Sequence, residues 1–100
     1  MIRERRPAED DATLALRALA HVAGDDDLGP RLLDITGLDV AALRARAGEP
    51  AVLVAVIEFL CAHEPSLIEV AEALDVSPQR LADAAARLDA ASDTALRLGA

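Results

Sequence analysis

Residues 70–88, VAEALDVSPQRLADAAARL, place Val70, Ala71, Leu74, Val76, Leu81 and Ala84 at the spacings of two short helices that meet around a tight turn at Asp75. Ser77 has the hydroxyl of a helix N-cap. Pro78 follows at the first helical position, where its missing N–H removes no internal hydrogen bond. The pattern is that of a helix-turn-helix, but its charge has the wrong sign for DNA. Between residues 66 and 90, Glu69, Glu72, Asp75, Asp83 and Asp89 oppose only Arg80 and Arg87, a net of −3 where phosphates require positive charge. In a DNA-reading corner the second helix would present Ser77, Gln79, Arg80, Asp83 and Arg87, and Gln79 and Arg80 have the chemistry to read base edges. Asp83 lies one turn from both, and no basic cluster is present to hold the phosphates, which take most protein–DNA hydrogen bonds. The segment therefore reads as a packing corner, with an atypical DNA-binding regulator as the alternative.

Working upstream, Pro65 or Ser66 begins a helix ending near Leu74, with Leu67, Val70, Ala71 and Leu74 inward. Residues 51–62 carry Val52, Leu53, Val54, Val56, Ile57, Phe59 and Leu60 on nearly every face, the mark of a central, surrounded helix started by Glu49 and Pro50. A buried strand over 51–57 is the competing local reading, because valine is β-branched, but the chain offers it no convincing partner strand. Asp39 caps a short helix to Arg46 or Ala47, with Leu43 inward and Gly48 ending it. Asp25, Asp26 and Asp27 supply caps for another helix through Leu28, Leu32, Leu33 and Ile35 to Gly37, whose first turn contains Gly29 and Pro30. The first helix runs from Glu9 or Asp10 to Val22, with Leu14, Ala15, Ala18, Leu19 and Val22 as its apolar stripe.

The expected fold is all-α: a compact orthogonal bundle of five to six short helices around a central apolar helix, with a helix-turn-helix-like C-terminal corner. Residues 1–8 are expected to form a flexible N-terminal arm carrying Arg3, Arg5 and Arg6. Residues 9–90 are expected to be a single helical domain, and residues 91–100 a tail or an extra helical turn, where Ser92 and Asp93 offer one place for a break and restart.

Composition narrows the function. A chain of 100 residues removes only about 60–68% of its extended surface on folding, so self-association could supply further burial. The core must come mainly from 16 Leu and 23 Ala, with one Phe and neither Tyr nor Trp; that leaves no stacking platform for single-stranded nucleic acid and few anchors for a binding hot spot. A net charge of −8 repels nucleic acid and anionic lipid and favours cationic partners. The longest apolar run, residues 51–57, is too short to span a membrane, no secretory signal opens the chain, and Cys61 stands alone, so a cytoplasmic protein in a reducing compartment is expected.

Three groups of residues invite a chemical reading. Asp25, Asp26 and Asp27 suggest a divalent cation but lack the alternating ligands of a calcium loop, and capping explains them. Cys61, His63 and Glu64 suggest a nucleophile, base and orienter, yet on a helix Cys61 and His63 diverge by about 200°. Cys61 is expected to be a small buried hydrophobe, His63 a C-terminal helix cation or a solvent-facing polar group, and His21 a similar group near the end of the first helix. Glu58 interrupts the most apolar helix: it either emerges at an edge or pairs with Arg17, Arg31 or Arg44. No catalytic, cofactor-binding or metal residue is assigned, and no cofactor is expected.

The succession Leu14-Ala15-Leu16-Arg17-Ala18-Leu19-Ala20, then Leu28-Gly29-Pro30-Arg31-Leu32-Leu33, then Thr36-Gly37-Leu38-Asp39 with Leu43-Arg44-Ala45-Arg46-Ala47, resembles a small all-helical alphaproteobacterial family catalogued as domain of unknown function 3572. The match continues through Glu58-Phe59-Leu60 and into residues 67–74. The resemblance implies a compact intracellular helical protein and brings no catalytic residue, substrate or cofactor. The expected role is a non-enzymatic protein–protein interaction module or a self-associating one, such as a homodimer, built on apolar helix edges rimmed by Arg and Asp.

Overall fold

The apolar run after Pro50 becomes a helix buried around most of its circumference, and five others are arranged about it. The computed structural model describes residues 10–99, with side chains as far as residue 91. In chain order the helices are α1 (Asp11–Ala23), α2 (Leu28–Thr36), α3 (Val40–Ala45), α4 (Pro50–Cys61), α5 (Glu64–Leu74) and α6 (Pro78–Gly99). The fold is thus an all-α, six-helix bundle with α4 at its centre, packed against α1, α2, α5 and α6. The anticipated arm at residues 1–8, with Arg3, Arg5 and Arg6, lies outside the described residues.

The helices begin where the sequence supplies a cap or a proline. Asp10 Oδ1 accepts the Thr13 backbone N–H at 2.8 Å and Asp39 Oδ1 that of Ala42 at 2.7 Å, each satisfying a donor that the first helical turn leaves without a carbonyl. The same bond, made chiefly to the Thr13 N–H, holds the Asp10 carboxyl below the usual carboxylate range. Pro50 occupies the first turn of α4, and the Ser77 hydroxyl accepts the Arg80 N–H at 3.0 Å ahead of α6.

The core is a zipper of the stripes read from the sequence. Leu14, Ala15, Ala18, Leu19 and Val22 of α1 meet Val52, Leu53, Val56, Ile57 and Leu60 of α4, with Leu81, Ala84 and Ala85 of α6 joining the same cluster. The residues 51–57 are helical, so the competing strand is not formed. Close approach is possible because so many contacts are alanine. Gly29 extends this logic: a Cβ there would sit 3.2 Å from the carbonyl oxygens of both Val22 and Ala23, so α2 enters close against the end of α1, and a side chain would require that end to give by a few tenths of an ångström.

The α5–α6 corner turns on Asp75, the one non-glycine residue with positive φ among those described (φ 62°). The Asp75 N–H bonds the Glu72 carbonyl at 3.1 Å and the Val76 N–H reaches the Ala71 carbonyl at 3.0 Å, a Schellman ending with aspartate where glycine is usual. Val76 then packs on the core. Arg17 of α1 donates from Nη2 to the Leu74 carbonyl at 3.3 Å and so helps close the same end. Beyond the corner α6 passes through Ser92 and Asp93 without interruption, so no break and restart occurs there. Neither residue removes a backbone donor, as proline would.

Candidate functional site

The corner that resembles a DNA reader is occupied with its own protein. Arg80 Nη1 lies 2.8 Å from Asp11 Oδ1, and Arg87 grips the same carboxylate with Nε on Oδ2 at 2.8 Å and Nη2 on Oδ1 at 3.0 Å. Gln79 Nε2 donates to Asp83 Oδ1 at 2.9 Å. Three side chains that would have to meet bases or phosphates are therefore engaged with carboxylates of this chain. The Arg87 hydrogen bonds, and secondarily Arg80, hold the Asp11 carboxyl below the usual range against the opposing cost of partial burial. The same contact raises the Arg87 guanidinium further above neutrality.

The run of three aspartates serves helix capping, through Asp25. Its Oδ1 accepts the backbone N–H groups of Asp27 (2.8 Å) and Leu28 (2.9 Å), which lower its pKa, the Leu28 bond most. Among the described residues no group of three or more His, Cys, Asp or Glu is placed to hold a metal ion.

Cys61, His63 and Glu64 do not converge as a triad. Cys61 is exposed, which corrects the expectation of a buried thiol: it lies one turn after Glu58 on the outward side of α4, while Leu60 beside it in the same turn is fully buried. Partial desolvation, with the charge of Glu58 adding to it, pushes its thiol up, away from the reactive thiolate. His63 is exposed, as the solvent-facing reading has it, and lies between α4 and α5, with its backbone N–H on the Leu60 carbonyl at 3.0 Å and its ring Nδ1 2.7 Å from the Ser66 hydroxyl. Ser66 is a buried polar residue that periodicity does not single out, and the His63 ring satisfies it. His21 remains at the end of α1. Glu58 emerges exposed at the edge of α4.

The edge where Glu58 emerges is one wall of a groove of about 620 Å³ between α2 and α4. Arg31, Asp34 and Ile35 line one side, and Ala55, Glu58, Phe59, Ala62 and His63 the other. Ile35 carries the most information here. Seven residues after Leu28, it falls on the same helical face as that packed leucine, yet it is 68% exposed. The apolar stripe of α2 thus runs on past the part of the core that covers it. Opposite stands Phe59, the single aromatic residue of the chain, half-buried against the core. Sequence alone does not identify the groove, because periodicity does not show where the covering of an apolar stripe stops. Arg31 is drawn toward Asp27, with Nε 3.9 Å from Oδ1.

A smaller depression of about 380 Å³ lies where α3 meets α1 and α2, with Leu32, Leu33 and Leu43 at its base and Asp25, Asp26 and Arg44 among its lining. No single helix among the described residues is long and apolar enough to cross a membrane.

No curated protein and no solved structure matches the chain significantly. The sequence profile of the family described as "Protein of unknown function (DUF3572)" matches residues 8–91, which span everything from α1 through the part of α6 that carries the corner. With stripes, caps and corner all inside that match, the chain belongs to the DUF3572 family.

Proposed function

We propose that the protein is a non-enzymatic interaction module that engages a protein partner, or a second copy of itself, through the α2–α4 groove. The observation that carries this reading is Ile35: an apolar residue on the packed face of α2 that its own fold leaves uncovered, facing Phe59 across an open groove. A non-enzymatic role is supported by the chemistry of the most reactive side chains. The thiol of Cys61 is held toward its protonated form, and His63 turns Nδ1 to a buried serine. The lone cysteine suits a reducing compartment, and a cytoplasmic location is part of the same reading.

Light scattering over a concentration series, paired with quantitative affinity capture from native extract, tests it. Ile35→Glu is expected to abolish either self-association or capture of a specific partner, while Leu16→Glu, at another exposed apolar position outside the groove lining, leaves both intact. A monomer whose captured proteins are unchanged by Ile35→Glu would overturn the reading.

A further inference from the structure

We infer that the occupant of the α2–α4 groove is a cationic amphipathic helix of another protein: an apolar stripe seated between Ile35 and Phe59, flanked by Lys or Arg side chains that meet Asp34 and Glu58. The inference rests on the interaction reading and adds to it the chemistry of the partner.

Three observations converge on it. The groove has one acidic residue on each wall, Asp34 on α2 and Glu58 on α4, each next in sequence to an apolar lining residue, Ile35 and Phe59. Among the described residues neither carboxylate has a hydrogen-bond or ion-pair partner, whereas Arg31, the cation on the same groove, already leans on Asp27. An apolar floor between two unpaired anionic walls complements a helix whose hydrophobic anchors are bordered by positive charge. The third observation concerns the whole chain. At a net charge of −8 two copies repel each other, while a cationic segment is drawn in. Four arginines are turned to this protein's own acceptors: Arg17 to the Leu74 carbonyl, Arg80 and Arg87 to Asp11, Arg46 to Glu49. Its acidic residues are therefore left in excess on the surface.

The probe is a hydrocarbon-stapled amphipathic peptide with a leucine stripe flanked by lysines. It is compared with the same peptide bearing glutamate at every lysine position and with a scrambled peptide of equal composition. Calorimetry gives affinity, and backbone amide shifts of the labelled protein locate the contact. The lysine peptide is expected to bind with its largest shifts at Ile35 and Phe59, more weakly as salt rises, and the glutamate peptide at least tenfold more weakly, as expected for close like charges across an interface. Asp34→Asn with Glu58→Gln is expected to weaken the lysine peptide roughly five- to tenfold, the effect of losing two partly screened pairs. Both residues are exposed and without a partner among the described residues, so the variant folds as the parent does, and Glu72→Gln with Asp89→Asn, two exposed carboxylates outside the groove lining, controls for net charge.

Equal binding of the lysine and glutamate peptides in the groove would overturn the cationic partner and leave the interaction reading standing. Failure of every peptide to shift Ile35 and Phe59, with Ile35→Glu also without effect on association or capture, would overturn both. A stable dimer in solution that Ile35→Glu dissociates would name a second copy as the occupant and sink the proposal.

Discussion

Asp11 and Arg87, 76 positions apart in sequence, are joined by two parallel hydrogen bonds, Nε to Oδ2 at 2.8 Å and Nη2 to Oδ1 at 3.0 Å. Arg80 shares the carboxylate, so one side chain at the start of α1 fixes the register of α6. The planar fork of arginine makes this a directional clamp where lysine would give a point charge.

Asp11→Asn is expected to destabilise the fold by about 1 kcal/mol at neutral pH, a value tempered by the partial exposure of the cluster. The Asp11 pKa is lowered in the folded state, chiefly by Arg87, so its contribution is fully present above the unfolded carboxylate value and is lost as pH falls through the folded one. Urea unfolding at a series of pH values should show parent and variant converging in acid. A constant difference down to the acid limit would contradict the assignment.

Two backbone positions should respond in opposite directions. Gly37 ends α2 at φ 73°, and a methyl group placed there would meet nothing within 4 Å, so Gly37→Ala adds no clash and costs about 1 kcal/mol through conformation alone. Asp75 holds the equivalent left-handed geometry with a side chain, and Asp75→Gly is expected to stabilise by up to about 1 kcal/mol. Thermal melts of the two single variants provide the check.

Ile57 is wholly buried at the centre of α4. Ile57→Ala is expected to cost about 2–5 kcal/mol, a large share of the stability of a domain this size, and to leave little folded protein at elevated temperature. Circular dichroism on heating reads this directly.

Cys61 should be modified by a thiol reagent without denaturant, because it is exposed, yet more slowly at neutral pH than free cysteine, because its thiol is pushed up by desolvation and Glu58. Removing the charge with Glu58→Gln should speed the reaction. Protection equal to that of a core residue would restore the buried placement expected from sequence.

Much of this fold is legible in the chain because the interior is simple. The α1 stripe, the central α4 and the Leu81-Ala84-Ala85 face all obey helical periodicity, and Asp10, Asp39 and Ser77 announce helix starts by their chemistry. Periodicity says which face turns inward but not how far along the helix a neighbour reaches. Ile35 departs from the periodic expectation for that reason, lying in a final turn that outruns its cover, whereas Cys61 is exposed because it shares the outward side of α4 with Glu58. Ser66 escapes that expectation for a different reason: its hydroxyl meets the ring of His63 three residues earlier, a polar contact at the start of α5 that hydrophobic periodicity does not record. The candidate groove joins elements from two parts of the chain, and no local pattern could have drawn it.

The closure of α1 onto α6 also sets the order in which the protein can be completed during translation. The helix that must be most hidden, α4, leaves the ribosome ahead of the helix that covers its far side, and Asp11 waits for both of its arginines. Until the last quarter of the chain has been synthesised, Val52, Val56 and Ile57 lack part of their shelter. The nascent protein therefore passes through a stage in which its most adhesive segment is exposed, and that stage ends only when the C-terminal helix arrives.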